Sequence, residues 1–164
     1  MIKKIIFILL LAVSIICYLI LQKNNMPIME NNLNFNKLTD REVVDIKIND
    51  QIIKVEVVNT PKSTTLGLSG RDDIGQEGML FIFPTSENRY FWMKDMKFDI
   101  DIVWIEDDQV VEITKNVPKP EENTPDNRLL TYSPNQNINM VLELNKAGAE
   151  KYNINPGDVV QLVQ

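Results

Sequence analysis

Short strand-like segments, separated by turn residues, recur along the chain from Val43 to its C-terminal end. Apolar and polar residues alternate over 43–48, which is typical of a strand with one solvent-facing side. Residues 79–83 and 102–105 are continuous apolar runs, which indicate strands buried on both faces. A spacing of roughly ten residues between such segments is typical of antiparallel barrels and sandwiches. A doubly wound parallel sheet is disfavoured because its strands alternate with long helices.

Turn and capping residues delimit the other elements. Asn49-Asp50 and residues 106–109 are predicted turns that close two hairpins, and Thr60-Pro61 is a predicted helix start. We predict an all-β to α+β fold, a small antiparallel barrel-like or sandwich domain with two short helices. The predicted elements are hairpins over 43–57 and 100–117, strands over 79–83, 90–93, 128–132, 138–144 and 159–163, a helix over 61–68 that ends at Ser69-Gly70, and a helix over 145–151 capped by Asn145.

Residues 89–105 combine large apolar side chains with dense charge. The segment holds both tryptophans, three other aromatic residues, three basic residues and three aspartates. We interpret residues 90–93 and 100–105 as adjacent buried strands joined by the polar loop 94–99. Side chains on a loop between rigid strands are well placed for binding, so we expect any site to lie near this loop.

The first 22 residues predict a transmembrane helix that acts as a signal anchor. Residues 5–21 form a 17-residue apolar run, which would rise about 26 Å as a helix, close to the thickness of a bilayer's hydrocarbon core. Lys3 and Lys4 precede the run, and this charge bias leaves the N-terminus in the cytoplasm and the rest of the chain outside. The alternatives are cleavage as a signal peptide and lipidation at Cys17. No small-x-small cleavage site follows the run, and Ile16 stands where lipidation wants a small residue.

The rest of the chain divides into a linker and one domain. Residues 23–42 are rich in asparagine and have no sustained apolar period, so we predict a flexible linker. Residues 43–164 are predicted to form a single β-rich domain outside the cytoplasm. The predicted location is therefore the cytoplasmic membrane, spanned once.

Composition excludes several classes of function. Residues 24–164 carry 14 basic and 23 acidic residues, a net charge of −9, which disfavours nucleic acid as a partner. The chain has no histidine, and its single cysteine, Cys17, lies in the apolar run. The domain therefore lacks the residues for Ser-His or Cys-His catalysis, structural zinc and disulfides. We expect no cofactor and no metal, because the acidic pairs Asp72-Asp73 and Asp107-Asp108 lack the spacing of a calcium loop.

A series of short motifs occurs in order between residues 52 and 163. They are Thr60-Pro61, Gly67-Leu68 with Arg71, residues 78–83, residues 91–95, Asp101-Ile102, residues 142–145 with Gly148, and Gly157-Asp158. This pattern resembles the prokaryotic family called domain of unknown function 192. The resemblance implies a compact β-rich domain, frequently exported or membrane-anchored, with no established activity. The family usually has Asn-Thr after the lysine and Pro-Leu before the aspartate, where this chain has Asp95-Met96 and Asp99-Ile100.

Six residues are candidates for ligand binding: Arg71, Lys94, Asp95, Asp101, Trp92 and Glu143. A guanidinium beside an ammonium would suit a carboxylate, sulfate or phosphate ligand, and we expect a small cleft near Arg71, Lys94 and Asp101. The alternative is structural, with Arg71 and Lys94 paired to Asp95, Asp101 or Glu143. Trp92 and its aromatic neighbours either form a stacking platform for sugars or peptides, or belong to the core.

Asp101 shares strand parity with Val103 and Ile105, which are expected to face inward. A buried carboxylate must be paired or strongly hydrogen-bonded. In one interpretation Asp95 and Asp101 form a general acid/base pair, as in glycoside hydrolysis. In the other, Asp101 accepts hydrogen bonds from backbone amides or from Arg71.

These patterns favour a membrane-anchored binding or accessory module of the cell envelope, whose partner is an envelope ligand or protein. A carboxylate-based hydrolase or lyase acting on cell-wall glycans is the first alternative. A structural partner of another envelope protein is the second, and it predicts an exposed apolar patch. Binding and catalysis both stay open at this point.

Overall fold

A computed structural model describes residues 34–163. The predicted membrane anchor and most of the predicted linker lie outside these residues. Between residues 34 and 163, no helix has the length and apolar character needed to span a membrane. The described strands are β1 (Val43–Ile48), β2 (Gln51–Val58), β3 (Gly78–Glu87), β4 (Phe91–Trp92), β5 (Ile100–Glu106), β6 (Gln109–Val117), β7 (Thr131–Tyr132), β8 (Ile138–Asn145) and β9 (Val160–Leu162), and the helices are α1 (Pro61–Leu66) and α2 (Gly148–Lys151).

Seven strands form one sheet in the order β6-β5-β8-β3-β2-β1-β9. The edge strands meet at one end, where Val110 N donates to Asp158 O at 2.8 Å and Val160 N donates to Asp108 O at 2.7 Å. The sheet therefore curls on itself, and the prediction of a barrel-like α+β domain with two short helices is confirmed. One pairing differs from the expected antiparallel scheme, because β2 and β3 are parallel. α1 and the loop after it carry the chain back along the sheet between these two strands, which makes a crossover connection.

The sheet is buried on both faces by two apolar clusters. Inside the curl, buried residues of β1, β2, β3, β5 and β8 pack together with Tyr152 and Ile154. On the outer face, alternate residues of the central strands pack under the segments 61–77, 88–99 and 118–137. The predictions that 79–83 and 102–105 are strands buried on both faces are confirmed.

The pairing predicted for residues 90–93 is wrong. β4 does not join β5, because both edges of β5 are taken by β6 and β8. It pairs instead with β7 in a separate two-stranded ribbon, in which Phe91 is opposite Tyr132. Phe91 and Tyr132 pack against the outer cluster, whereas Tyr90 is 71% exposed and Trp92 is 46% exposed. This segment is a cover for the outer face of the sheet and not one of its strands.

Both predicted helices are shorter than expected. Thr60 caps α1 as predicted, but the helix ends before Gly67, whose φ of 49° terminates it earlier than Ser69-Gly70. α2 begins at Gly148, and its N-cap is Ala147, because Asn145 is still the last residue of β8.

Two other boundaries differ from the prediction. β3 extends to Glu87 through a stretch of irregular pairing that contains Pro84, which has no N–H to donate. Only Thr131–Tyr132 forms a strand in the region of 128–132, because Asp126–Arg128 is a 3-10 helix.

The domain also includes residues that the sequence places in the linker. Phe35 is buried in the inner cluster. Arg41 N donates to Val57 O at 2.8 Å, and Asn59 Nδ2 donates to Leu38 O at 2.7 Å. The packed domain therefore contains residues 34–42, which the local pattern does not indicate.

Candidate functional site

A cavity of about 460 Å³ opens on the outer face of the sheet. It lies between the C-terminal end of α1, the outer face of β3 and the segment that leads into β4. Its lining combines aromatic and aliphatic side chains with hydroxyl groups and three charged residues. The lining residues are Thr64, Thr65, Leu66, Gly67, Leu68, Ser69, Phe81, Phe83, Glu87, Asn88, Arg89, Tyr90, Phe91, Trp92, Met96 and Glu143.

Glu143 is the only charged residue of β8 and lines this cavity. It is paired with Met79 on one side and Ile102 on the other, and both of these neighbours belong to the outer apolar cluster. The residue is 6% exposed, and no hydrogen bond joins its carboxyl to any group within 34–163. Burial raises the pKa of Glu143 to about 8, because the apolar surroundings disfavour the charged form. At pH 7 the group is mostly a neutral carboxylic acid.

Aromatic rings form the wall above this carboxyl. The Phe91 ring packs edge-to-face against three others, with centroid distances of 5.2 Å to Phe81, 6.3 Å to Phe83 and 5.5 Å to Trp104. Trp92 stands at the rim. These contacts hold the wall in one arrangement, so the cavity is preformed.

The mouth of the cavity carries one charge of each sign. The guanidinium carbon of Arg89 lies 3.9 Å from the centre of the Phe83 ring, and Nη2 donates to Thr85 O at 2.9 Å. The same nitrogen is 4.0 Å from Glu87 Oε2. Arg89 Nε is buried and has no hydrogen-bond partner in the described part of the chain.

Two hydrogen bonds and an ion pair brace the cavity from outside. Ser69 Oγ donates to Lys94 O at 2.8 Å, and Gly70 N donates to Asp95 O at 2.9 Å. The Lys94 ammonium pairs with Asp126 and lies 5.4 Å from the centre of the Trp92 ring. Lys94 and Asp95 thus hold the end of α1 and Trp92 in place, without lining the cavity themselves.

Arg71 lies in a separate ion-pair cluster. It donates to both oxygens of Glu56, at 2.7 and 2.9 Å, and Arg41 donates to Glu56 Oε1 at 2.6 Å. The hydrogen bonds from Arg71 lower the pKa of Glu56, although partial burial opposes them. This cluster joins the segments before β1 and after α1 to β2, so its geometry is that of a structural tie.

Asp101 is fully buried, and backbone amides satisfy both of its oxygens. Oδ1 accepts from Asn116 N at 2.8 Å, and Oδ2 accepts from Ala149 N at 3.0 Å. Neither Arg71 nor Asp95 is a partner of this carboxylate. Asp101 therefore accepts hydrogen bonds from backbone amides, which is the structural alternative considered from the sequence. It does not line the cavity.

Of the six candidates, the structure brings Trp92 and Glu143 into one cavity, with Lys94 and Asp95 bracing it. We expected a small cleft near Arg71, Lys94 and Asp101, but none of these three residues lines the cavity. Sequence reasoning missed Phe81, Phe83 and Arg89. The alternation of the run 79–83 puts Phe81 and Phe83 on the same face as each other, which is a signal that sequence could have used. Arg89 carried no comparable signal.

Metal-ligating residues are not clustered in the described residues. No group of three or more His, Cys, Asp or Glu side chains in 34–163 is arranged to hold a metal ion. The chemistry that the cavity can offer comes from the carboxyl groups of Glu143 and Glu87, the Arg89 guanidinium, hydroxyl groups and aromatic faces.

Two solved structures resemble this domain. A "putative transcription regulator" from Sinorhizobium meliloti 1021 is 21% identical, with a TM-score of 0.66 over 76% of this chain and 97% of that protein. A protein of unknown function from Novosphingobium aromaticivorans DSM 12444 is 25% identical, with a TM-score of 0.63 over 73% of this chain and 84% of that protein. Both likenesses support the barrel-like fold. No curated protein matches the chain.

A family profile described as "Uncharacterized ACR" matches residues 44–162. The matched region contains the cavity floor at Glu143 and its wall at Trp92, and it confirms the resemblance carried by the short motifs. The chain belongs to the domain of unknown function 192 family, DUF192.

Proposed function

We propose that this protein is a ligand-binding module of the cell envelope, and that its ligand occupies the cavity above Glu143. One observation carries the proposal: a carboxyl buried among apolar residues, without a partner in residues 34–163, on the floor of a preformed aromatic cavity. Burying such a group without a hydrogen bond costs free energy, and an apolar side chain at this position of β8 would avoid the cost. A ligand that pairs with the carboxyl supplies the missing interaction.

The cavity has features of a small-molecule site. It is concave and combines aromatic side chains with polar groups that can orient a ligand. Leu66, Tyr90 and Trp92 surround the opening and are 50%, 71% and 46% exposed. Exposed apolar residues at a cavity rim indicate that the ligand, or the larger molecule that carries it, also contacts the surface around the opening.

The envelope location rests on the N-terminal segment. The apolar run of residues 5–21, preceded by Lys3 and Lys4, supports a membrane anchor with the domain outside the cytoplasm. In this arrangement the cavity lies outside the cytoplasm. Ligands present there, such as cell-wall fragments, define the first panel to test.

Binding is tested with the full-length chain purified in detergent. Trp92 at the rim reports occupancy through its fluorescence, whereas Trp104 is fully buried with its Nε1 bonded to Thr114 Oγ1 at 2.9 Å and serves as an internal reference. Peptidoglycan fragments, glycans, carboxylates and amines form the panel. We expect at least one compound to change the fluorescence and raise the Tm, and Trp92→Phe to lose the fluorescence change but keep the Tm shift. A panel without any Tm shift would sink the proposal.

A hydrolase or lyase is the second candidate, and one observation favours it. A carboxyl with a pKa of about 8 is protonated at neutral pH and suits the task of a general acid. An acid/base pair of Asp95 and Asp101 is disfavoured, because both Asp101 oxygens already accept backbone hydrogen bonds. The test is turnover of the same glycan panel, which the enzyme hypothesis expects to be lost in Glu143→Gln and kept in Glu150→Gln, an exposed control.

A further inference from the structure

We infer that the cavity binds its ligand through a primary ammonium group, which pairs with Glu143 while an apolar or aromatic part of the ligand lies against Phe81, Phe91 and Trp92. This inference deepens the proposed function and rests on it. It concerns the class of ligand, which neither the fold nor the family identifies. The ammonium belongs to a free amine or to the lysine side chain of a peptide.

The Glu143 carboxyl lacks a partner of opposite charge within the described residues. Elsewhere in the described domain, Glu56 pairs with two arginines and Asp101 accepts from two amides. Glu106 accepts from Ser86 through Oε1, although its Oε2 is buried without a partner. Glu143 has no partner at either oxygen within residues 34–163, and burial is the cause of its raised pKa. A carboxyl in such surroundings becomes a strong partner when a cation enters, because the ion pair forms where little water screens it.

The aromatic walls of the cavity favour a cation. The face of an aromatic ring carries partial negative charge, so rings such as Phe91 and Trp92 favour a nearby cation. An anionic ligand would meet these faces and the Glu143 carboxyl on the floor, and its one cationic partner in the lining would be Arg89 at the mouth. A neutral hydrogen-bond acceptor is the competing ligand, because protonated Glu143 can donate to it. Probes of similar shape and different charge distinguish an ammonium ligand from a neutral acceptor.

The other charged groups that face the cavity lie at its mouth. Glu87 and Arg89 lie at the mouth and oppose each other at 4.0 Å, and Tyr90 is the remaining titratable side chain of the lining. The lining contributed by α1 and the residues after it, 64–69, is uncharged, and so are Phe91, Trp92 and Met96. Glu143 is therefore the charged group on the floor of the cavity, and the ammonium is expected to seat there.

A pH dependence follows from this arrangement. Below pH 8 an ammonium ligand must displace the proton of Glu143, so its affinity rises by about tenfold per pH unit from pH 6 and levels off above pH 8. Binding at pH 7 releases about one proton. A neutral ligand that accepts a hydrogen bond from the carboxylic acid shows the opposite trend, because deprotonation removes the donor.

The experiment uses the full-length chain in detergent and four probes: 2-phenylethylammonium, 2-phenylethanol, 3-phenylpropanoate and Nα-acetyl-lysine methylamide. Calorimetry in two buffers of different ionisation enthalpy measures proton release at pH 7, and the affinities are compared at pH 8.5, where Glu143 is mostly ionised. At pH 8.5 we expect an ammonium probe to bind at least about tenfold more tightly than the alcohol, as charge-assisted pairs exceed neutral ones by this order. The phenylethyl and lysine probes separate a free amine from a peptide side chain, and tight binding of either supports the inference.

Glu143→Gln is the matched variant, and Glu150→Gln removes an exposed carboxylate as control. We expect Glu143→Gln to abolish the preference for ammonium and the proton release, with the affinity for the alcohol changed less than about threefold. Should the variant fold poorly, the probe comparison on the unaltered chain decides alone. The inference is overturned if the alcohol or the carboxylate binds as tightly as the ammonium probes. It is also overturned if no ammonium probe binds while another compound of the wider panel does. In both cases the proposal of a binding module stands. If the whole panel is silent, both fall.

Discussion

The Asp101 carboxylate accepts a hydrogen bond from the backbone N–H of Ala149 at 3.0 Å, and so ties β5 to the start of α2. Its other oxygen accepts from Asn116 N in β6 at 2.8 Å. Asp101→Asn keeps the size of the side chain but turns one acceptor into a donor that faces an N–H. We predict a loss of about 2 kcal/mol in the free energy of unfolding, measured by urea denaturation.

Asp95→Asn is the control for that substitution. Asp95 lies in a turn with φ of 56°, a conformation that asparagine tolerates well, and its backbone oxygen keeps its bond to Gly70. We expect a change within about 0.5 kcal/mol. Equal losses in the two variants would contradict the structural role given to Asp101.

Glu143 predicts an unusual pH dependence of stability. Its carboxyl has a pKa of about 8 in the folded protein and 4.5 as its ordinary value, so the unfolded chain loses this proton first as the pH rises. The free energy of unfolding is therefore expected to fall by about 3 to 4 kcal/mol between pH 5 and pH 8. The chain has no histidine, which leaves few other groups to titrate in this range.

Urea unfolding of the full-length chain at pH 5, 6.5 and 8 measures this effect. Glu143→Gln is expected to flatten the profile and to be more stable than the unaltered chain at pH 8. A profile that stays equally steep in Glu143→Gln would assign the titration to another group.

Glu56 predicts the opposite trend at lower pH. Arg71 lowers its pKa, so the ion pairs contribute stability above pH 4.5, and that contribution is lost as the pH falls through the lowered pKa. We predict that Glu56→Gln costs about 1 to 3 kcal/mol at pH 7 and less at pH 3, because the variant lacks the titrating partner. Asp45→Asn removes one partner of an exposed ion pair with Lys54 and is expected to cost less than about 1 kcal/mol. Similar costs for the two substitutions at pH 7 would argue against the tie at Glu56.

The proposed anchor predicts fractionation with membranes. The full-length chain is expected to stay in the membrane pellet after alkaline carbonate extraction, and a chain without residues 2–22 to appear in the supernatant. Protease added to spheroplasts is expected to digest the domain, since the proposed orientation puts it outside. A full-length chain protected from protease until the membrane is lysed would reverse the orientation.

Local pattern predicted those parts of the fold that depend on neighbouring residues. The alternation over 43–48 and the turn at Asn49-Asp50 are sufficient for the β1–β2 hairpin, because both strands and their register lie within one short segment. The apolar run 79–83 similarly indicated burial on both faces. The parallel pairing of β2 with β3 and the β4–β7 ribbon join segments far apart in sequence, and no local period specifies such partners.

Sequence by itself determined the strand-rich domain, the apolar N-terminal run and the presence of Glu143 as the one charged residue of its strand. Only the tertiary structure decided what each charged group does. Asp101 and Glu143 are both acids on central strands, yet the packing of α2 and β6 gives Asp101 two amide donors, and the face of β8 that holds Glu143 meets an aromatic cavity without a partner. The reason is physical: the state of a carboxyl depends on the groups and the solvent that surround it, and folding brings those groups together from distant parts of the chain.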